Sequence, residues 1–262
     1  MLKHIRNVAI LLIVLGVGAG YYFMRGDTAR LPLEATTGVE PTLSDVRSEN
    51  FPTINIAKAE PWGEGEGPVA AEGLIVERFA DGLDHPRSMF RLPNGDLLVA
   101  ETNSPPRTNK GIEGWVMRNL MSKAGAGTES ANRIVLLRDS DKDGKVDERF
   151  PFLENLNSPF GMALIEDTLY VANTDAVYAY PYVEGETAIT AEGRKVANLN
   201  AKAPNNHWTR DLLASQDGKY LYVSVGSNSN IGENGMDTEK QRAAILQVEL
   251  ATNKKAIYAA GM

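Results

Sequence analysis

Three observations in the 262-residue chain predict an all-β fold, a β-propeller with about three blades present behind an N-terminal hydrophobic helix. The first is a pattern that occurs three times. The stretch "GLDHPRSMFRLPNGDLLVAET" (82–102) reads as a loop, an apolar strand, a Pro-Asn-Gly-Asp turn and a second strand. The stretch "NLNSPFGMALIEDTLYVANT" (155–174) keeps that order with Glu166-Asp167 at the turn, and "NNHWTRDLLASQDGKYLYVSVGS" (205–227) keeps it with an Asp-Gly turn. The second observation is that further strands follow each copy. They are "NRIVLLRD" and "KVDERFPF" after the first, "AVYAYPY" and "RKVANL" after the second, and "AAILQVEL" and "KKAIYAA" after the third. The third is the spacing. Four short strands every fifty to seventy residues or so suit a blade, because one four-stranded sheet cannot bury both faces alone but can when stacked radially.

Taken in chain order, the N-terminus comes first. Met1-Leu2-Lys3-His4-Ile5-Arg6 is a short basic head, and an apolar stretch runs from Val8 to Met24. That length is the lower edge of a membrane span, no A-x-A cleavage site follows it, and Tyr21-Tyr22-Phe23 resembles an interfacial aromatic belt. The expectation is an uncleaved signal anchor over 1–24, with Lys3 and Arg6 inside and the propeller in the periplasm. The alternative is a cleaved signal peptide and a periplasmic or secreted protein. Residues 25–72 have no sustained period, carry Pro32, Pro41, Pro52, Pro61 and "WGEGEGP", and read as a linker or wrapping arm. Within it "LSDVRSENF" fits either a short helix or a solvated segment. The propeller portion is 73–262. An insertion at 107–127, "RTNKGIEGWVMRNLMSKAGAG", predicts a helix of about three turns. Its apolar side chains scatter round more than half a wheel, which favours packing on a protein surface over lying in a membrane.

Composition excludes several classes. A net charge of −7 without a basic cluster in the folded part argues against nucleic acid as a partner. The absence of cysteine removes disulfides, thiolate nucleophiles and Cys-based zinc sites. The chain has no G-x-S-x-G, P-loop, G-x-G-x-x-G or His-Glu-x-x-His, so the usual hydrolase, kinase and nicotinamide signatures are missing.

Two segments carry candidate chemistry. In "DSDKDGKVD", Asp139, Asp141, Asp143 and Asp147 take positions 1, 3, 5 and 9 with Gly144 at 6, a pattern suited to a hard cation such as calcium. Position 12 is Phe150 and the flanks are strands, so the loop is no complete EF-hand and would tip a hairpin. Asp/Gly turns of this kind also occur without metal. His207, in a Pro/Asn-rich loop before a strand, is one of only three histidines; an imidazole suits proton abstraction near neutrality. A packed loop histidine beside Trp208 is the other reading. His85, before Pro86 at a strand start, reads as structural.

The repeated motifs, together with "NRIVLLRDSDKDGKVDE" and "LYVANTDAVYAYPY", resemble the sorbosone dehydrogenase family over about residues 73–262. That family is related to the soluble quinoprotein glucose dehydrogenases, six-bladed propellers that use pyrroloquinoline quinone (PQQ) and calcium. The resemblance implies that His207 is a general base taking the proton of a sugar hydroxyl while hydride passes to the quinone. It places Arg210 in the same motif, and Asn206 where the glucose enzymes have an aspartate that supports the histidine. Asn157 falls near a glutamine that those enzymes present to the cofactor. It also implies a small-molecule sugar substrate and an electron acceptor in the respiratory chain. Relatives continue past the position of "KKAIYAAGM" into further cofactor-binding motifs, so the chain is expected to be an N-terminal, inactive portion of a PQQ-dependent sugar or aldose dehydrogenase. Two rivals fit the same residues: a calcium-dependent lactonase-like hydrolase, and a non-catalytic envelope propeller that contacts carbohydrate or protein.

Overall fold

The computed structural model describes residues 2–24, 31–42, 56–106, 111–230, 232 and 234–261. Among them, twelve strands pair into three four-stranded antiparallel sheets, each taking its strands in chain order. The first blade holds β1 (Pro86–Arg91), β2 (Leu97–Glu101), β3 (Arg133–Arg138) and β4 (Glu148–Leu153). The second holds β5 (Met162–Ile165), β6 (Thr168–Ala172), β7 (Ala176–Pro181) and β8 (Arg194–Asn198). The third holds β9 (Leu212–Ala214), β10 (Tyr220–Val225), β11 (Ala244–Glu249) and β12 (Lys254–Ala260). The first strands of successive blades, β1, β5 and β9, lie beside one another, which is the inner wall of a propeller. The outer strands carry features that suit an edge: Pro151 within β4, Arg194 and Lys195 on β8, and Lys254 and Lys255 on β12.

Packing explains the differing strand patterns. On β6, Leu169 and Val171 pack toward the first blade, joining Leu98, Ile134, Leu136 and Phe152. The alternate residues Tyr170 and Ala172 pack toward the third blade, joining Leu221, Val223 and Leu246. Both faces of this middle blade are covered, so β6 is apolar along almost its whole length. On β10 only alternate residues (Leu221, Val223 and Val225) are buried, because one face lies against the second blade and the other against solvent. The outward face of the first blade, with Val99, Val135 and Leu137, is covered by Ala80, Leu83 and Val146. Full burial of such a side chain contributes about 1.5–3 kcal/mol.

The chain divides into two compact units, Met1–Glu60 with Val116–Gly125, and Pro61–Trp115 with Ala126–Met262. The second contains all three blades. The first contains α1 (Leu2–Met24) and α2 (Leu33–Thr36). The segment Lys3–Tyr22 of α1 has no buried residue and is long and apolar enough to cross a membrane, a test that signal sequences also pass. Helix α3 (Gly111–Lys123) straddles the division, and in the first unit its Lys123 carbonyl accepts the Ala59 amide at 3.0 Å. The segment "LSDVRSENF" and residues 107–110 lie outside the described residues.

One ion pair pins the first blade at its lower turn. Arg138, at the end of β3, donates from Nε and Nη2 to the two carboxylate oxygens of Asp96 at 2.9 and 2.7 Å. The Arg138 guanidinium, assisted by the Asn94 amide, holds the buried Asp96 carboxyl below the usual carboxylate range. A depressed carboxyl contributes stability that is present above its unfolded value near pH 4 and lost as pH falls through the lower folded value. Asp96→Asn is therefore expected to cost about 1.5–3 kcal/mol at pH 7, a gap that closes on acidification. Chemical denaturation of both proteins between pH 7 and pH 2 or so measures it; a gap that stays constant to the acid end sinks the assignment.

Candidate functional site

Strand direction sorts the loops into two ends. The first blade runs Pro86 opposite Glu101 and Glu101 opposite Arg133, so the start of β1, the end of β2 and the start of β3 share one end. The same register in the other blades brings the β4–β5, β6–β7, β8–β9 and β10–β11 connections to that end. His207, Asn206 and Arg210 are on the β8–β9 connection and Asn157 is on the β4–β5 connection. Asn157 lies five residues before Met162 and His207 five before Leu212, and these two strand residues pair at matching positions, with Val171 and Val223. Asn157 and His207 are thus the same position in consecutive blades.

The three blades converge here. Trp208 is buried, meets the edge of Phe160 from the second blade with ring centroids 6.4 Å apart, and carries the Arg87 guanidinium of the first blade 5.7 Å above its ring. Arg87 sits where the β1–β2 register shifts, a bulge that re-aims a side chain. Thr174 ties the second blade to the third. Its amide donates to the Asn157 carbonyl at 3.0 Å, its hydroxyl donates to the Trp208 carbonyl at 2.9 Å, and it accepts from the Asn205 amide at 2.9 Å.

His207 is exposed, with Nδ1 3.1 Å from the Ser227 carbonyl and 3.0 Å from the Ser227 hydroxyl. Its ring partner is therefore Ser227, on the opposite loop, and not the adjacent Asn206. The side chains of Asn157 and Asn206 are exposed and make no hydrogen bond among the described residues. Arg210 is fully buried. It donates to the carbonyls of His207 at 2.7 Å, Thr209 at 2.9 Å and Asn200 at 3.1 Å, and to Asn205 Oδ1 at 3.1 Å. Burial, then the nearby charge of Arg242, draws its guanidinium down to about 10. Its direct bonds all go to the protein, so it holds the His207 loop from beneath.

Glycine is required at two close approaches. A Cβ at Gly161 would lie 2.6 Å from the Asp211 Cα, where the Gly161 amide donates to the Arg210 carbonyl at 2.9 Å. A Cβ at Gly226 would lie 2.6 Å from the His207 Cβ. Among the described residues, the buried side-chain atoms without a partner are Thr102 Oγ1, Asn173 Oδ1, Asp175 Oδ1, Tyr182 OH and Arg210 Nε. All but Tyr182 belong to this end. Orphaned polar atoms of that kind ask for a partner beyond the chain.

The aspartate loop lies elsewhere. It joins β3 to β4 at the outer edge of the first blade, at the end opposite His207. Asp139, Asp141 and Asp147 each bring a carboxylate oxygen to within 4.8 Å of the others. Asp143 stands apart from that group, its Oδ1 accepting the Lys145 amide at 2.9 Å. Backbone amides of Ser140 and Gly144 donate to Asp147 at 2.7 Å and Asp139 at 3.0 Å, with Gly144 at φ +88°. Three hard oxygen donors on a tight loop fit calcium.

Sequence reasoning had not marked Ser227, Asn205, Thr174 or Arg242. A signal for part of this set exists: the second strand of each blade is followed by a small polar pair, Thr102-Asn103, Asn173-Thr174 and Ser227-Asn228.

Blade topology and a polar mouth built from loops of all three sheets define a β-propeller. The family model described as TrAA12-like matches residues 68–261, and the chain belongs to that family. No curated protein matches the chain. The iodide structure of Trichoderma reesei Carbohydrate-Active Enzymes Family AA12 is similar at TM-score 0.52 and 23% identity, covering 76% of this chain and 43% of that one. The calcium structure of the same protein gives 0.49 and 23%, covering 71% and 40%. The holo form of the pyranose dehydrogenase PQQ domain from Coprinopsis cinerea gives 0.47 and 17%, covering 65% and 34%. The chain thus spans less than half the length of these relatives.

Gly226→Ala is expected to displace His207 and to lower stability by about 1–3 kcal/mol, the scale of overpacking. Thermal melts and the His207 ring resonances check it. An unchanged melting temperature with unchanged resonances would show that the close approach is not a constraint.

Proposed function

We propose that this chain supplies the substrate-side mouth of a PQQ-dependent oxidoreductase acting on a sugar or aldose. The observation that carries the reading is His207, exposed where the blades converge, with Nδ1 engaged by Ser227 and Nε2 without a partner among the described residues. Membership of the TrAA12-like family supports it.

The residues fit an anionic quinone. Two buried guanidiniums, Arg210 and Arg242, lie beneath the mouth, and Arg87 is exposed at it. Asn157 and Asn206 have uncommitted amides that would hold the cofactor, with Arg210 contributing through its charge and its grip on the loop. When bound, PQQ supplies the two-electron acceptor for hydride from a carbon bearing a hydroxyl. His207 Nε2 takes the hydroxyl proton, and Ser227 keeps the ring turned toward the substrate. Trp208, packed between Phe160 and Arg87, anchors the loop that carries that histidine.

Replacing His207 with alanine, in a protein carrying these residues, is expected to lower turnover about a hundredfold or more with quinone binding little changed. Dye reduction with a panel of pyranoses and fluorescence titration of PQQ measure the two quantities. Turnover within a few-fold of the parent would move His207 to a packing role.

The Asp139, Asp141 and Asp147 loop, with Asp143 beside it, is proposed to bind calcium and to act on stability, since it lies at the far end from His207. Calcium at about 100 times its dissociation constant should add about 2.7 kcal/mol to unfolding. The gain in melting temperature should vanish in Asp139→Asn/Asp141→Asn. A gain that persists there assigns the ion to another place.

A further inference from the structure

We infer that Arg242 is a positioning residue for His207, acting through Ser227; the inference rests on the reading of His207 as the base. Arg242 is 3% exposed on the loop between β10 and β11. Its guanidinium donates to the Gly226 carbonyl at 3.0 Å, the Ser227 carbonyl at 2.8 Å, Asn205 Oδ1 at 3.1 Å and the Asn200 carbonyl at 3.3 Å. The Ser227 carbonyl is also the acceptor 3.1 Å from His207 Nδ1. A carbonyl oxygen can only accept, and the Ser227 hydroxyl 3.0 Å from the same nitrogen can accept as well, so a hydrogen on Nδ1 serves both and, in the neutral ring, leaves the lone pair on Nε2. Arg242 holds the carbonyl oxygen that favours this tautomer.

Two further observations point the same way. Gln241 at φ 59° and Ala243 at φ 45° flank Arg242, and neither is glycine. Left-handed backbone at side-chain-bearing residues persists where the surroundings impose it, and it gathers at functional sites. The bonds of Arg242 also have the form of a positioning device and not of an ion pair. Glu239, an acid of the same loop, is taken up by the amides of Asn228 at 2.7 Å and Ser229 at 3.0 Å and by the Ser229 hydroxyl at 2.7 Å. Among the described residues, each hydrogen bond of the Arg242 guanidinium ends on a neutral oxygen. Through Asn205 Oδ1 it meets Arg210, which grips the His207 carbonyl at 2.7 Å. The two arginines therefore hold the two loops on which His207 and Ser227 stand.

The test reads the tautomer directly, by nitrogen-15 NMR on the full chain in detergent, with His207 assigned by its loss in His207→Asn. The parent should show the Nδ1–H form. Arg242→Met should mix in the Nε2–H form, and Arg242→Lys, which keeps one donor for the Ser227 carbonyl, should restore part of the original. Ser227→Ala, which keeps the carbonyl, should retain the Nδ1–H form. In sugar oxidation, Arg242→Met should lower kcat about tenfold to a hundredfold with KM changed less than about twofold. A parent with hydrogen on Nε2, or a substituted Arg242 that leaves the tautomer unmoved, overturns the inference. If Arg242→Met does not fold, Arg242→Lys and the parent tautomer still decide it. The Nδ1–H form in a protein that carries these residues at the full length of its relatives and yet oxidises no sugar supports the role of Arg242 in ring orientation and overturns the oxidoreductase reading.

Discussion

A four-stranded sheet with apolar side chains on both faces has to be covered twice, and the rest of this structure depends on how that is done. The middle blade is covered by its two neighbours, which is why β6 is apolar at consecutive positions while β10 alternates. The covering requires backbones to approach closely where one blade's inner strand meets the next. Gly161 sits at that contact, its amide bonded to the Arg210 carbonyl. Apolar stacking brings β1, β5 and β9 together, and with them the loops at their ends.

Those loops are then held by polar contacts that the stacking makes possible. Among the described residues, Arg210 and Arg242 are buried with no carboxylate in ion-pair contact with either guanidinium, an arrangement that costs desolvation and shows in the lowered values of both groups. The cost is offset by the number of backbone carbonyls each arginine satisfies, from Asn200, His207 and Thr209 for one and from Gly226 and Ser227 for the other. Loops of irregular backbone leave carbonyls unpaired by any ladder, and a buried guanidinium is the side chain with enough donors to collect them. The loops that carry His207 and Ser227 are held by the arginines that lie under them.

The two candidate centres belong to different parts of the blade. The aspartate loop joins outer strands at one end, and His207 precedes an inner strand at the other. A cation held on the outer hairpin would restrain β3 against β4, away from the mouth. His85 illustrates a third role at the mouth end. It adopts φ 49° and its Nε2 bonds the Thr128 hydroxyl, which ties the long β2–β3 connection to the start of β1.

Strand existence, order and blade count were legible in the sequence because they follow from local alternation, turn residues and the recurrence of one unit, each readable within about ten residues. The apolar N-terminal helix and the candidate histidine were legible for the same reason, as was the acidic loop, whose carboxylates lie close together in sequence. What tertiary structure alone decided are the relations between blades. Asn157 and His207 became equivalent positions, Ser227 and not Asn206 became the partner of the imidazole, Arg210 turned inward, and Asp143 stood apart from its three neighbours. Ser227 is twenty residues from His207, and Thr174 is thirty-four from Trp208. Contacts over such separations depend on the register and twist of whole sheets, which no local pattern encodes.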